Sequence, residues 1–473
     1  MHPSHDYLAI DLGASGGKAC LGRVKQTGIE LQTVHRFANA PVQREGVFYW
    51  DIHHLVQQVR IAVRQAKEHC PSLRSIGIDT WGVDFGLLGR EGALLCPPLC
   101  YRNWFFRASM ERALERVPEH RLFEVTRNHL LPINTVFQLV AFEEQFPELF
   151  ARARSLLMMP QLVGYLLGGP VGCEFTIAST TGLMDATEKS WSEELIRELG
   201  FPPFFAPIAF PGKRMGEILS LPLVHVGSHD TASAFAGTPV SGSSEGIVST
   251  GTWCLVGVEV DSLPTDPRMR EWNFSLEGRV DGGFRLLKNI PGLWLIQRSL
   301  QEWKKDEPDL DFSRLSRLAR QACAPERFVD VNDPSLENPT SMVAALQALC
   351  EKTGFHKLPR SPGEVSRLVI ESIARAIATA FHQLEQITQR PVQVIRMVGG
   401  GTQDSFLCQR VADFCHHTVI AGPVEATSVG NLLCQSIADG RFESLSDARA
   451  FLRAAFPFST YHPAGKEERE GLH

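Results

Sequence analysis

Two short hairpins of the same build, half a chain apart, limit this sequence more than any other feature. Tyr7-Leu8-Ala9-Ile10 reads as an apolar strand, Gly13-Ala14-Ser15-Gly16-Gly17 as a turn, and Ala19-Cys20-Leu21-Gly22-Arg23-Val24 as a returning strand. Gly246-Ile247-Val248-Ser249, the turn Thr250-Gly251-Thr252 and Trp253-Cys254-Leu255-Val256-Gly257-Val258 repeat that plan. The letters differ while the architecture recurs, which predicts two lobes built alike. A length of 473 residues suits two cores better than one.

The segments between the hairpins alternate in type. Strands are predicted at residues 47–50, 75–79, 223–226 and 392–398. A helix is predicted over 52–67, where Leu55, Val56, Val59, Val63 and Ala66 share a face, and a longer one over 364–387. Residues 107–191 read as mainly helical. This alternation predicts an α/β fold. The division between lobes falls between Ala232 and Glu245, giving residues 1–237, 238–460 and a tail at 461–473.

Charge and composition remove several function classes. The net charge is -6, and no basic run offers a track for nucleic acid. The polar start leaves no room for a signal peptide, and no apolar stretch is long enough for a bilayer. The 11 cysteines are scattered and odd in number, as reduced buried residues are. His225 and His229 are four apart but lie on a strand and turn, not on the helix that a zinc pair requires. These features predict a cytoplasmic protein without structural zinc, and leave monomer and homodimer both open.

The turns suggest phosphate chemistry by a route other than the P-loop. Residues 11–18 lack the glycine six places before Lys18, and Ala19 stands where Ser or Thr is needed. A tight hairpin can still converge its backbone N–H groups on an anion. Asp11, at the strand end, would then attract Mg²⁺, which takes one or two carboxylates with waters and phosphates. A plain hairpin with a capping Asp is an equal reading. Thr250-Gly251-Thr252 offers donors to a second phosphate, or is simply a turn. Gly399-Gly400-Gly401 lets backbone approach a flat ligand such as adenine, and Asp404 can cap the next helix. Asp230, in His229-Asp230-Thr231, reads first as a helix cap and second as a base for an attacking hydroxyl. Asp79-Thr80-Trp81-Gly82-Val83-Asp84-Phe85 and Lys288-Asn289-Ile290-Pro291-Gly292-Leu293-Trp294 set polar groups among apolar walls, as a sugar site needs, although Trp81 could equally be core.

Taken in order, these blocks resemble the FGGY carbohydrate kinases, and among them the rhamnulokinases. The likeness runs through Ala9-Ile10-Asp11-Leu12-Gly13-Ala14-Ser15, residues 76–85, Ser228-His229-Asp230-Thr231-Ala232-Ser233-Ala234 and Ser249-Thr250-Gly251-Thr252-Trp253. It continues in Leu287-Lys288-Asn289-Ile290, residues 292–298, Val398-Gly399-Gly400-Gly401 and residues 421–426. The resemblance implies two ribonuclease-H-like lobes of the actin type with a cleft between them. It also implies transfer of the ATP γ-phosphoryl group to the 1-hydroxyl of L-rhamnulose. Residue by residue it implies ATP contacts at Ala14, Ser15, Gly16, Gly17, Lys18, Thr252, Gln297 and Gly400. It implies a sugar pocket from Trp81, Gly82, His229, Asp230, Thr231 and Asn289, with Asp230 as proton acceptor in place of the cap. Asp11 is implied as the Mg²⁺ anchor, through water.

Three departures stand out. Tyr101-Arg102-Asn103 replaces an expected Tyr-Arg-Asp, Arg127-Asn128-His129-Leu130 replaces Gly-Ile-Gln-Phe, and Asp404 replaces an asparagine. The first two bear on which sugar is used, the third on the nucleotide side. A kinase for another ketose, such as fuculose or a pentulose, is the alternative within the class. A non-catalytic sugar- or nucleotide-binding regulator is the alternative outside it.

Overall fold

The computed structural model describes residues 5–465. Contacts divide the chain into two compact units. One comprises residues up to Ser241 with Glu259–Leu286 and Ala426–Phe456; the other comprises Gly242–Val258, Leu287–Glu425 and residues from Pro457. The first unit thus takes in two segments that the sequence places in the C-terminal lobe, and the reason is apolar packing described below.

The first unit is built on a six-stranded sheet. Its strands are β1 (His5–Leu12), β2 (Gly16–Val24), β3 (Ile29–Ala38), β4 (Ser75–Thr80), β5 (Lys213–Ile218) and β6 (Leu221–His225), in the order β5-β6-β4-β1-β2-β3. β1 runs antiparallel to β2 and parallel to β4. Gly16 and Gly17, expected in the turn, already pair with Ala38 and Phe37 of β3. Alternation along β1 feeds two cores, as a strand's period of two requires. Leu8, Ile10 and Leu12 join the cluster of helix α1 (Ile52–His69), through Leu55, Val59 and Val63. Tyr7 and Ala9 join Val429, Leu432 and Leu433 on the opposite face.

Those last residues belong to a helix from near the C-terminus, which is why it counts with the first unit. Counting α2 (Asp230–Ala236), α3 (Trp294–Trp303), α4 (Pro362–Thr388) and α5 (Ser405–Cys415), it is α6 (Ala426–Ala438). Its buried polar face is laced to the sheet. Ser75 Oγ donates to Gln435 Oε1 (2.7 Å), and Gln435 Nε2 donates to Leu8 O (3.0 Å) and to Asn431 Oδ1 (2.7 Å). The close approach needs Gly77, where a Cβ would stand 2.4 Å from Asn431 Oδ1. α6 also crosses α2 at Gly430, where a Cβ would stand 1.8 Å from Ser233 O.

The second unit holds most of a seven-stranded sheet. Its strands are β7 (Glu245–Thr250), β8 (Trp253–Val260), β9 (Ser275–Gly278), β10 (Phe284–Pro291), β11 (Val394–Val398), β12 (Thr418–Ala421) and β13 (Ser459–Tyr461), in the order β9-β10-β8-β7-β11-β12-β13. By contact, β9 and the adjoining ends of β8 and β10 belong to the first unit. α4 opens with a capping box, Ser361 with Glu364, and buries Val365, Leu368, Ile373, Ile377, Leu384 and Ile387 on one stripe. The eleven cysteines are all free. No described helix is long and apolar enough to cross a membrane.

An exposed helical glycine gains stability on replacement by alanine. Gly430→Ala is expected to do the reverse, lowering unfolding free energy by about 1–3 kcal/mol through overpacking. Urea denaturation checks this, and an unchanged midpoint would contradict the packing described.

Candidate active site

The first hairpin lines a recess. Gly13 N donates to Gly16 O (2.9 Å), and Asn39 braces the turn through Gly13 O (3.0 Å) and Ser15 O (3.2 Å). Side chains are excluded where β2 meets β3, since a Cβ on Gly17 would stand 2.2 Å from the Phe37 ring. Asp11, Gly16, Gly17, Lys18, Arg36 and Phe37 line a cavity of about 340 Å³. Lys18 faces Asp11 across the strand pair at 3.1 Å (Nζ–Oδ2). Of the predicted nucleotide residues in this unit, the structure brings Gly16, Gly17 and Lys18 into that cavity with Asp11; Ala14 and Ser15 form the turn beside it.

The next segment is built on a rigid buried base. Asp84 is fully buried and accepts from Trp50 Nε1 (2.6 Å), Trp81 Nε1 (2.9 Å), Gln138 Nε2 (2.7 Å) and Tyr101 N (3.3 Å). Burial pushes its carboxyl up to about 6 against those bonds. Trp81 is therefore core and not an open wall for a sugar: its N–H is committed to Asp84, and its ring packs on Trp50 at 4.3 Å. Val83 adopts φ 69°, costly for a β-branched residue, and is held there by Thr135 Oγ1 on its carbonyl (2.6 Å) and Thr180 Oγ1 on its N–H (3.3 Å). Gly82 lies beside them, where a Cβ would meet Thr180 and, at 3.4 Å, His229 Nε2.

His229 and Asp230 are placed from below. Glu174 is fully buried and accepts from Thr176 N (2.7 Å), Thr176 Oγ1 (2.6 Å), Ile177 N (3.3 Å) and Ser228 N (3.0 Å). Thr176 Oγ1 in turn accepts from His229 N (3.2 Å), while Thr80 N donates to Ser228 O (2.9 Å). α2 then starts with His229, not Asp230, at the cap position. Asp230 sits in the first turn, where Oδ1 accepts from Thr231 N (2.6 Å) and Thr231 Oγ1 (3.2 Å) and Oδ2 has no partner among the described residues. About a third of its side chain stays open, at 32%. Burial raises its pKa, the Asp11 charge adds to the rise, and His229 opposes it.

His229 lies between two acids. Its Nε2 is 3.5 Å from Asp230 Oδ1, and its Nδ1 is 3.1 Å from Glu277 Oε2, an ion-pair distance without the alignment of a hydrogen bond. Burial works against the Glu277 charge, yet His229 and Arg285 outweigh it and hold the carboxyl below its ordinary range. Arg285 is fully buried, 3.0 Å from Glu277 Oε2, and lies over the Phe235 ring.

In the second unit, the second hairpin and two glycine loops interlock. Leu293 N donates to Gly251 O (3.0 Å), and Gly292 N and Trp294 N reach Thr252 O (3.1 and 3.2 Å). Gly399, at φ 88°, rests on Thr250, whose carbonyl oxygen would be 2.5 Å from a Cβ there. Nothing stands within 4 Å of a Cβ on Gly400. Thr252 and Gly400 thus border open backbone, Gln297 follows on α3, and Asn289 is exposed on β10.

Comparison with known proteins decides the family. The N-terminal domain of the FGGY family of carbohydrate kinases matches residues 6–238, and the C-terminal domain matches 246–438. The chain belongs to the FGGY carbohydrate kinases. It is a carbohydrate kinase, an enzyme whose substrates are a sugar and ATP. The rhamnulokinase of Halalkalibacterium halodurans is 35% identical over 470 residues, covering 97% of this chain and 99% of that one. The rhamnulokinase of Bacillus subtilis is 33% identical over 472 residues, covering 97% and 95%. Among solved structures, gluconate kinase from Lactobacillus acidophilus superposes with a TM-score of 0.82 at 17% identity, over 99% of this chain and 96% of that one. Plasmodium falciparum glycerol kinase with ADP does so with 0.76 at 15%, over 99% and 96%. The fold is the two-lobed actin type of these kinases.

Seen as an FGGY kinase, the departures have structural work. Asn103 is buried and pairs both ways with the Phe48 backbone at 2.8 Å, which an aspartate could not do. Asn128 and His129 dock on the strand of Glu277, through Leu276 O (3.2 Å) and Ser275 Oγ (2.9 Å). Asp404 caps α5, accepting from Phe406 N (2.9 Å) and Leu407 N (3.3 Å). Glu174, Thr180, Glu277 and Arg285 escaped the sequence reading because each is a lone polar residue outside any motif.

Glu174 gives a pH-dependent prediction. Burial raises its carboxyl from 4.5 to about 7. Between those values the folded form keeps a proton that the unfolded chain has lost, so its contribution to stability falls as pH rises from about 4.5 to 7 and is level above. Glu174→Gln is expected to remove that part of the slope in a pH series of urea midpoints; an unchanged slope would contradict the assignment.

Proposed function

We propose that this kinase transfers the γ-phosphoryl group of ATP to the 1-hydroxyl of L-rhamnulose, giving L-rhamnulose 1-phosphate and ADP. The observation that carries the chemistry is Asp230, partly open with one carboxylate oxygen unengaged, next to the His229 ring that borders Gly82. The choice of sugar is supported by rhamnulokinases at 33–35% identity over nearly the whole chain.

In this reading, Asp230 accepts the hydroxyl proton as the new O–P bond forms and the bond from the γ-phosphorus to the ADP oxygen breaks. Burial helps, since a carboxylate with a raised pKa is a better base. Glu277 and Glu174 act through His229 and the Ser228 backbone, keeping the α2 start in place. Gly82, His229 and Thr231 border the sugar, with Asn289 added from β10. Backbone N–H groups of residues 14–17 and the Lys18 ammonium meet phosphate oxygens, while Thr252, Gln297 and Gly400 meet the rest of the nucleotide.

The donor set fits Mg²⁺. Asp11 and Asp79 are register partners on parallel strands, and Asp79 Oδ1 is buried without a donor. No three His, Cys, Asp or Glu side chains converge on a metal position among the described residues. That matches an ion that relies on waters and phosphates for most of its shell. When bound, Mg²⁺ neutralises charge developing on the phosphate oxygens.

Asp230→Asn is expected to lower kcat about 10²–10⁴-fold while ADP still binds; near-normal turnover would remove Asp230 from the base role. In a panel of sugars at fixed ATP, L-rhamnulose should give the highest kcat/KM, ahead of L-fuculose and the pentuloses. A better substrate among those, or no ADP release with any sugar, would overturn the assignment.

A further inference from the structure

One buried acid beside Asp11 has a spare oxygen that its hydrogen bonding does not explain. Asp79 is the penultimate residue of β4, with 0% of its surface exposed. Its Oδ2 accepts from Asn431 Nδ2 at 2.6 Å, and its Oδ1 has no hydrogen-bond donor. An unpaired buried acceptor costs roughly 1–3 kcal/mol, and more when charged. A carboxylate serving only as a partner for Asn431 would gain nothing from its second oxygen, whereas a neutral serine or asparagine would accept the same bond at less cost.

Position says what the second oxygen is for. Asp79 is the register partner of Asp11 on the neighbouring parallel strand, so both side chains leave the same face about 4.8 Å apart. Lys18 is the partner of Asp11 on its other side, which sets Lys18, Asp11 and Asp79 in a row. After burial, the Asp11 charge bears most on Asp79, and Asp230 and Lys18 also reach it. The carboxylate is held still from behind: Ser75, Gln435 and Asn431 form a chain of donors that ends on Oδ2.

We propose that Asp79 is a second carboxylate of the cation site, orienting a water in the shell of the metal ion that Asp11 anchors. The inference rests on the phosphoryl-transfer reading above. Action through water agrees with the lack of three converging ligands, and a magnesium ion keeps several of its waters. Asp79 is thus a positioning residue for the cation, and a divalent ion beside it relieves the repulsion between two neighbouring acids.

Mn²⁺ is the probe, with its free ion counted by electron paramagnetic resonance in the presence of ADP and the absence of sugar. Asp79→Asn should weaken Mn²⁺ binding about 10–100-fold, as loss of a ligand-orienting partner does. ADP affinity in EDTA should stay unchanged, which a general loss of structure would not allow. If that variant does not fold, Asp79→Ser keeps an acceptor for Asn431 and answers the same question. Unaltered Mn²⁺ affinity, or an effect confined to the KM of the sugar, would overturn the role of Asp79 alone. Failure of the unmodified protein to bind Mn²⁺ with ADP would overturn the nucleotide reading and this inference together.

Discussion

Taking a carboxylate out of water costs several kcal/mol unless other groups replace the lost solvation. The first unit meets that cost repeatedly, at Asp79, Asp84, Glu174 and Glu277. Asp84 and Glu174 each accept four hydrogen bonds and act as knots that fix a loop. Glu277 relies on the buried guanidinium of Arg285 and on His229. Asp79 and Asp230 each keep an oxygen without a hydrogen-bond donor among the described residues. Asp84 and Glu174, with both oxygens engaged, are framework, and Asp79 and Asp230 are the acids proposed to serve a cation and a hydroxyl.

The frame draws on distant parts of the chain. α6 falls within the match to the C-terminal family domain, yet it packs on β1 and β4 of the first unit. It supplies Asn431 to Asp79, and its Gly430 seats the helix that begins at Asp230. α7 (Leu445–Ala455) adds Arg449, which ties Glu259 (2.6 Å) to the end of α2 at Phe235 O (2.6 Å). Positioning of both acids therefore depends on residues more than two hundred places downstream. That is why no single cut in the sequence separates the two units.

Local chemistry made much of this legible. The hairpins at β1–β2 and β7–β8 show themselves through alternating apolar residues and small turns, and α4 through its stripe and its Ser-Pro-Gly-Glu start. Asp404 reads as a cap and is one. The rest was settled by tertiary contact. Trp81 carries the same letter whether it walls a sugar or fills a core, and only Trp50 and Asp84 decide between them. Glu174, Glu277 and Arg285 sit on short elements with no periodic signal, brought to His229 from up to 56 positions away. Asp230 at a helix start looked like a cap because caps and first-turn acids share composition; the backbone puts His229 in that place.

The central claim is that the unengaged oxygen of Asp230 takes the proton of the hydroxyl that is phosphorylated. The most direct test is a crystal structure of the protein with L-rhamnulose, Mg²⁺ and a non-hydrolysable ATP analogue. The C1 hydroxyl oxygen of the sugar is expected to lie about 2.6–3.2 Å from the Asp230 carboxylate. A sugar bound with that hydroxyl out of reach of Asp230, and another group in contact with it, would rule out Asp230 as the base.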